Sequence, residues 1–249
     1  MAKHPTTMRL DRLLSNLGYG SRKEIATAIR NGWLEVDGNR VTDPGYTADL
    51  SRFGAILFDG EPIDPPPPLT VMLHKPVGYT CSHNDVGALI YDLLPDRWRI
   101  RKPALSSIGR LDKESSGQLL MTDDGDLLHR ITHPRRHADK HYRVTLRDEL
   151  RGDESALFAA GDFMMTGDAK PLKPAAWTPD GPTSGLMVLG EGRYHQIRRM
   201  FETLGNLVIG LHRFRTGGLE LGDLPQGEWR QLNDADLESL FSASADGGL

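Results

Sequence analysis

The 249-residue sequence is short of cysteine and of long apolar runs, and each shortage excludes a class of protein. Cys81 is the only cysteine, so neither an intramolecular disulfide nor a cysteine-based zinc site can form within the chain. No run approaches the roughly 18 apolar residues that span a bilayer, and the N-terminus lacks the features of a signal peptide. We therefore expect a soluble, cytoplasmic protein with no membrane partner.

The sequence also lacks an excess of positive charge, since its formal net charge is −4. The basic residues are nevertheless clustered. Residues 1–40 contain seven Lys/Arg and four Asp/Glu, while 129–143 and 193–215 each contain five Lys/Arg and one acidic residue. This distribution is typical of a basic face on an acidic body, which suits a nucleic-acid partner. Charge alone leaves three solvated basic surfaces about as plausible.

The first part of the chain has the pattern of two helices followed by hairpins. Apolar residues between 10 and 17 recur at helical spacing, and Ser21 with Glu24 forms a capping box that begins a second helix. Asp-Gly pairs at 37–38 and 59–60 predict two hairpins. A protein-interaction module is one interpretation, and an RNA-binding module is the other. In the second case, cations on and between the helices would bind phosphates: Arg9, Arg12, Arg22, Lys23 and Arg30.

Four consecutive prolines at 65–68 separate this module from a longer segment. Consecutive prolines favour stiff polyproline II, so we predict a linker there. Beyond it, strand patterns dominate and do not repeat as βαβ units, which predicts an α+β domain with a mainly antiparallel mixed sheet flanked by helices. The predicted boundaries are 8–61 for the first domain, 62–69 for the linker, 70–242 for the larger domain, and 1–7 and 243–249 for flexible ends.

The segment SSIGRLDKESSGQLLMTDDGDLLHRIT (106–132) is the most informative for chemistry. Gly109 and Gly117 flank Asp112, and glycines allow a loop to present a carboxylate at the edge of a sheet. By spacing alone, a turn-forming aspartate outweighs a catalytic one by roughly two to one.

Two other arrangements of polar residues suggest chemistry but match their motifs poorly. Histidines recur every four residues between 129 and 141, yet Pro134 would break a helix that carried them, so no metal site is predicted. Ser115 or Ser116 with a histidine and Asp112 would resemble a hydrolase triad, but the sequence has no G-x-S-x-G elbow. A hydrolase would still require a serine hydrogen-bonded to a histidine.

Several motifs, in matching order and spacing, resemble the RsuA family of ribosomal RNA pseudouridine synthases. They are LHKPVGYTCS (73–82), GRLDKESSGQLLMTDDG (109–125), ITHPRRHADKHYRVTL (131–146), EGRYHQIRRMF (191–201) and LHRFRTGG (211–218). The first module resembles the S4 RNA-binding domain, so the resemblance covers nearly the whole chain. The details are most similar to members that act on 16S RNA of the small subunit. His74 departs from the asparagine that is frequent in the family.

The resemblance implies an isomerase that converts a uridine of ribosomal RNA to pseudouridine without a cofactor or a metal. It implies that Asp112 is the essential carboxylate, that Arg198 is its matching cation, and that Tyr142 stacks on an extruded uracil. It further suggests RNA or supporting contacts at Arg110, Arg193, His195, Arg199 and His212. We expect a monomer. The alternatives are a synthase for 23S RNA and a non-catalytic RNA-binding or ribosome-assembly factor.

Overall fold

The structure is a computed structural model that describes residues 7–50, 55–132 and 138–242. The predicted flexible ends lie outside these ranges except for Thr7, as do His133 and His137 of the histidine series. The chain divides into two units. Unit 1 contains Met1–Thr70, Tyr91–Ser107 and Met121–Leu128, and unit 2 contains Val71–Ile90, Ile108–Leu120 and His129–Leu249.

Unit 1 begins with two helices and several short strands. In order they are β1 (Thr7–Arg9), α1 (Leu10–Leu17), α2 (Arg22–Arg30), β2 (Leu34–Val36), β3 (Asn39–Val41), β4 (Thr47–Asp49), β5 (Ile56–Phe58) and β6 (Glu61–Pro62). The predicted capping box begins α2. The Glu24 N–H donates to the Ser21 hydroxyl at 3.3 Å, and the Ser21 N–H donates to the Glu24 carboxylate at 2.8 Å.

A small apolar core holds these elements together. The leucines of α1 are fully buried, as their spacing predicted, and they pack with apolar residues of α2, β2 and β5. β2 pairs antiparallel with β3 and with β5, and β5 pairs with β6. Asp37 and Asp59 adopt φ angles of 52° and 55° in the turns. Both Asp-Gly hairpins are therefore confirmed.

The proline-rich segment at 62–69 packs within unit 1. The Asp64 N–H donates to the Tyr19 hydroxyl at 2.9 Å, and the Leu69 N–H donates to the Asp123 carboxylate at 2.7 Å. Asp64 and Leu69 are both buried. The segment is thus anchored near each end, and its role as a boundary between domains stays a prediction.

The remaining elements belong mostly to unit 2, although residues 70, 106–107, 121–122 and 125–128 fall in unit 1. They are β7 (Thr70–Lys75), β8 (Ser106–Ser107), β9 (Ser116–Thr122), α3 (Gly125–Thr132), β10 (Lys140–Leu146), α4 (Glu154–Ala159), β11 (Ala175–Gly181), β12 (Ser184–Leu189), α5 (Gln196–Thr203), β13 (Val208–Thr216), β14 (Leu219–Glu220), β15 (Trp229–Gln231) and α6 (Asp234–Ser239). One sheet has the order β11-β12-β10-β13-β9-β7-β15, with β14 on β13 and β8 on β9. β10 pairs antiparallel with β12 and β13, whereas β9 runs parallel to β13. The predicted α+β fold with a mainly antiparallel mixed sheet is confirmed.

Alternation along β10 decides which side chains share a face of the sheet. Tyr142 pairs with Arg213 of β13 and with Met187 of β12, so these side chains project to the same side. Met187 also pairs with Trp177 of β11, whose ring packs edge-on against Phe201 of α5, with centroids 5.1 Å apart. Helix α5 therefore packs on the face where Tyr142 lies.

Two local features differ from the sequence prediction. The apolar pattern of VGALIYDLL (86–94) predicts a short helix, but only Ile90–Leu93 forms a short 3-10 turn. β11 was not predicted because Pro179 interrupts its pattern. It lies at an edge of the sheet, where a residue without an N–H is tolerated.

The helices in the described part of the chain are short. The longest, α2, has nine residues, and none of the helices among residues 7–50, 55–132 and 138–242 has the length and apolar content to cross a bilayer. No group of three or more potential metal-ligating side chains is found within the same ranges.

Candidate active site

A cleft of about 820 Å³ opens in unit 2, and all the residues that line it belong to that unit. A volume of this size suits a nucleoside-sized ligand. The lining residues carry more cations than carboxylates, which favours a phosphate-bearing ligand. The cations are Arg110, Lys113, Lys140, Arg193 and Arg213, and the carboxylates are Asp85, Asp112 and Glu114.

Asp112 lies in the cleft on the loop that precedes β9. Gly109 opens this loop with a φ of 73°, a conformation that other residues rarely adopt. The Ser115 N–H donates to the Asp112 carbonyl at 3.0 Å and closes a turn. The Asp112 side chain is 25% exposed, with one oxygen 3.6 Å from Arg198 Nε and the other 3.3 Å from His195 Nε2. The carboxylate is therefore oriented by two nitrogens while it stays open to a ligand.

The backbone of this loop is fastened by the side chain of Lys75, which is fully buried. Its ammonium donates to the carbonyls of Ser115 at 2.7 Å, Pro76 at 2.9 Å and Asp112 at 3.1 Å. Burial lowers the pKa of Lys75, because desolvation outweighs the attraction of nearby acidic groups. Lys75 thus fixes the backbone from which the Asp112 carboxylate projects.

Arg198 of α5 contacts Asp112 with a guanidinium that is held at its other nitrogens. Nη1 donates to the Val208 carbonyl at 3.0 Å, and Nη2 donates to the Glu114 carbonyl at 3.1 Å. Nε is buried without a hydrogen bond among the described residues and faces Asp112 at 3.6 Å. A shift of about half an ångström would turn this ion pair into a charge-assisted hydrogen bond.

Tyr142 forms part of the cleft wall, with only 8% of its surface exposed. Its neighbour on the same face, Arg213, is buried and donates from Nε to the Gln118 carbonyl at 2.7 Å. Gly117 allows this close approach of β9 and β13, since a Cβ there would lie 2.1 Å from the Arg213 carbonyl oxygen. Asp112 and Tyr142 therefore line one cleft, and Arg198 contacts Asp112.

Comparison with known proteins identifies the family of the chain. A model of the RNA pseudouridylate synthase family matches residues 70–203, and an S4 domain model matches residues 8–51. The chain belongs to the RNA pseudouridylate synthase family. It is 37% identical over 238 residues to the ribosomal small subunit pseudouridine synthase A of Escherichia coli (strain K12), an alignment that covers 94% of this chain and 100% of the relative.

Two further matches also extend along most of the chain. An uncharacterized RNA pseudouridine synthase of Bacillus subtilis (strain 168) is 35% identical over 244 residues, covering 96% of this chain and 100% of the relative. A crystal structure of a pseudouridylate synthase matches with a TM-score of 0.64 at 34% identity, covering 94% of this chain and 99% of the other. The resemblance inferred from the sequence motifs is confirmed.

Arg193 and Arg199 of the synthase, both predicted as RNA contacts, are tied to Asp168. Arg193 Nη1 donates to the Asp168 carboxylate at 2.9 Å and to the Lys170 carbonyl at 2.8 Å, and Arg199 also pairs with Asp168. The Arg199 and Arg193 guanidiniums hold the pKa of Asp168 below its usual value. The two arginines thus fasten the loop around Asp168 to the region where α5 begins, and their contact with RNA stays a prediction.

Arg110 and His195 both line the cleft, as expected for residues that meet a ligand. Arg110 is exposed two positions before Asp112. His195 directly precedes α5 in a left-handed conformation, with φ of 49° and ψ of 33°. His195 contacts the Asp112 carboxylate directly, at 3.3 Å. The roles of Arg110 and His195 towards RNA stay predictions.

His212 does not line the cleft. It pairs in register with Arg143, one position away from the pair formed by Tyr142 and Arg213, so it projects to the opposite face of the sheet. Burial lowers the pKa of His212, and the neighbouring His74 adds to the effect. The predicted RNA contact at His212 is therefore not part of this site.

His74, where the family often has asparagine, lies close to His212, with ring centroids 5.4 Å apart. Its Nδ1 lies 2.7 Å from the Leu224 carbonyl oxygen. His74 lies within β7, and this hydrogen bond therefore joins β7 to a carbonyl 150 positions away along the chain.

The serine–histidine contact that a hydrolase requires is present, between Ser116 Oγ and His212 Nδ1 at 2.9 Å. Neither residue lines the cleft. Asp112 contacts His195 and Arg198 instead of His212. Asp112, Ser116 and His212 therefore do not form a catalytic triad, because Asp112 lines the cleft and the serine–histidine pair does not.

The cations of the S4 domain lie on its surface. Arg9 and Arg22 both pair with the buried Asp11, at 3.1 and 2.8 Å, yet each side chain stays more than half exposed. Burial alone would raise the pKa of Asp11, but the hydrogen bonds from the two arginines hold it below its usual value. Three further predicted contacts are exposed: Arg12, Lys23 and Arg30.

One buried lysine, Lys75, and one partly buried lysine, Lys140, were not singled out from the sequence, although both lie inside the quoted motifs. Lys75 fastens the Asp112 loop, as described above. Lys140, at the start of β10, lines the cleft, and burial together with the charge of Arg213 lowers its pKa to about 8. The sequence holds no signal that separates such lysines from surface ones, because their burial depends on strands that are distant along the chain.

Proposed function

We propose that this protein isomerises a uridine of ribosomal RNA to pseudouridine, with Asp112 as the catalytic carboxylate. The observation that carries the proposal is the position of Asp112 in the cleft. One carboxylate oxygen faces Arg198 and the other faces His195, and the ring of Tyr142 forms a nearby wall. Membership of the RNA pseudouridylate synthase family supports the reaction type.

The reaction breaks the N1–C1′ bond of uridine, turns the released uracil and joins C5 to C1′. The C5 proton leaves, and N1 regains a proton, so no net oxidation or hydrolysis occurs and no cofactor is needed. An ionised Asp112 would act at the sugar, either by attack on C1′ to form an ester or by removal of the C2′ proton to form a glycal. Both routes need the carboxylate to be open on one side, as it is here.

Arg198 and Tyr142 have complementary roles in this proposal. Arg198 orients the attacking oxygen, since its Nη atoms are held by backbone carbonyls while Nε faces the carboxylate. Tyr142 provides a flat, largely buried ring against which the uracil can stack. A uridine within a helix cannot reach such a cleft, so the substrate nucleotide must be extruded.

For the substrate, we infer ribosomal RNA of the small subunit. The relative in Escherichia coli is named as a ribosomal small subunit pseudouridine synthase and aligns over its whole length. The exposed cations of the S4 domain supply sequence-independent contacts with phosphates. A cytoplasmic monomer that acts on 16S RNA or on a small-subunit assembly intermediate is the corresponding biological form. Large-subunit RNA is the alternative substrate.

The decisive experiment uses ribosomal RNA labelled with tritium at uridine C5, because pseudouridine formation releases that tritium. Asp112→Asn keeps the shape of the side chain but removes its charge, and should abolish release while RNA binding persists. Asp223→Asn, at an exposed carboxylate outside the cleft, is the matched control and should retain activity. Separate reactions with 16S RNA, small-subunit intermediates and 23S RNA identify the substrate.

Normal tritium release by the Asp112→Asn variant would show that the assignment of the carboxylate is wrong. Binding of ribosomal RNA without release by the unmutated protein on any of these RNAs would instead favour a non-catalytic assembly factor.

A further inference from the structure

Tyr194 is a large aromatic residue held at the open side of the cleft. Its side chain lines the cleft, yet the residue is 70% exposed. The Tyr194 ring is stacked on the His195 ring, with centroids 3.9 Å apart and planes 14° apart. Each ring therefore covers one face of the other, and the high exposure of Tyr194 leaves the outer face of its ring open. We call this pair the Tyr194–His195 platform.

The backbone under the platform adopts an unfavourable conformation. His195 has a φ of 49° and a ψ of 33°, in the left-handed region that residues with a Cβ seldom occupy. Such a conformation persists only where the surrounding structure imposes it. Strain of this kind concentrates at sites that bind ligands, so the platform is a candidate contact for a ligand.

A network of polar contacts holds the residues on either side of His195. The Arg193 N–H donates to Gln196 Oε1 at 2.8 Å, and Gln196 Nε2 donates to Glu191 Oε1 at 3.1 Å. Gln196 is only 4% exposed. The Arg193 side chain is itself anchored on Asp168. The segment on either side of the platform is therefore fixed before any ligand arrives, which reduces the entropy lost on binding.

The platform is linked to the proposed catalytic group. His195 Nε2 lies 3.3 Å from Asp112, so one ring of the platform adjoins the carboxylate and the other is the exposed ring of Tyr194. A nucleotide next to the reacting uridine would pass over this surface. When a uridine is extruded, each neighbouring base loses a stacking partner, and an exposed ring can replace it.

We propose that the Tyr194–His195 platform is a binding subsite for the unpaired base adjacent to the target uridine. This inference rests on the proposed function. Cationic side chains among the lining residues favour an RNA ligand over a protein. A ring that stacks on bases tolerates any base, so the platform would contribute affinity and position more than sequence discrimination.

The test compares Tyr194→Ala with Tyr194→Phe, which keeps the ring and serves as the matched control. The substrate is a ribosomal RNA fragment that contains the mapped target uridine. From the strength of base–aromatic stacking, Tyr194→Ala should raise KM about five- to a hundredfold, whereas kcat should change much less. Tyr194→Phe should stay within about twofold of the unmutated protein, because it keeps the stacking face.

A second pair of substrates separates stacking from a structural effect. The nucleotide before or after the target uridine is replaced by an abasic one. On one of these RNAs the affinity of the unmutated protein should fall by the same factor as that of Tyr194→Ala on intact RNA. On that abasic RNA, Tyr194→Ala should bind no more weakly than the unmutated protein. Unfolding temperatures of the three proteins should agree.

Three results would overturn the proposal. One is an unchanged KM for Tyr194→Ala in a protein that still forms pseudouridine, which would leave the proposed function intact. Another is an equal loss by Tyr194→Ala on intact RNA and on both abasic RNAs, which would indicate contact with a sugar or a phosphate of the RNA and not with a base. The third is an unmutated protein that forms no pseudouridine, in which case the proposed function fails and the platform fails with it.

Discussion

Replacing the buried Lys75 with methionine should disconnect the loop of Asp112 from β7. Methionine keeps an unbranched apolar stem but donates no hydrogen bond, so the carbonyls of Pro76, Asp112 and Ser115 all lose a donor. At about 1 kcal/mol for each lost hydrogen bond the loss is about 3 kcal/mol, and removal of a poorly solvated charge offsets part of it. We expect a net destabilisation of about 1–3 kcal/mol.

The rate of the chemical step should fall as well, because the lysine fixes the backbone of the proposed catalytic carboxylate. A displacement of about 1 Å at a reacting group can slow the chemical step by about a hundredfold. Urea unfolding measures the first effect, and single-turnover tritium release measures the second. Lys113→Met is the control for stability, since Lys113 lies on the same loop but is exposed. It should change the free energy of unfolding by less than about 0.5 kcal/mol. A Lys75→Met protein with normal stability and a normal single-turnover rate would refute the argument.

Three further substitutions test other parts of the site. Arg198→Gln should slow single-turnover release by about a hundred- to a thousandfold with little change in RNA affinity, and a loss of affinity alone would contradict its role beside Asp112. Lys140, with a pKa of about 8, loses its proton as pH rises through that value, so RNA affinity measured by fluorescence anisotropy should fall between about pH 7 and 9. In Lys140→Gln this fall in RNA affinity should be absent. Identical pH profiles of RNA affinity for the variant and the unmutated protein would contradict the role of Lys140. Between about pH 8 and 10.5 Lys140 is neutral in the folded protein but still protonated in the unfolded chain. The free energy of unfolding should therefore rise with pH over that range. Asp168→Asn should speed amide hydrogen exchange in residues 166–171, since the shared anchor of Arg193 and Arg199 is weakened, and unchanged exchange would argue against that anchor.

The local elements of the fold could be read from the sequence because they depend on neighbouring residues. The capping box at Ser21 and the Asp-Gly turns need only the residues that form them. The apolar patterns of SGQLLMT and KHYRVTL predict strands, and the structure has strands at Ser116–Thr122 and Lys140–Leu146. β11 escaped prediction because the edge position that accommodates Pro179 exists only in the assembled sheet.

The proposed catalytic residues came from motif resemblance and not from their spacing. Asp112, Tyr142 and Arg198 are separated by 30 and 56 positions along the chain, and no local pattern connects them. The parallel pairing of β9 with β13 and the packing of α5 near β13 bring the three into one region. By spacing alone Asp112 would have stayed a turn former, and it does close a turn as well.

The sequence by itself determined the family, the two-helix start of the S4 domain and most of the strands. Only the tertiary structure decided which basic residues face the cleft. Strand alternation places His212 and Arg213 on opposite faces, but the face that holds the cleft depends on where α5 packs. Likewise, a lysine becomes a buried anchor only when distant carbonyls surround it, as they surround Lys75. Burial is a property of the whole packed chain, and no short stretch of sequence encodes it.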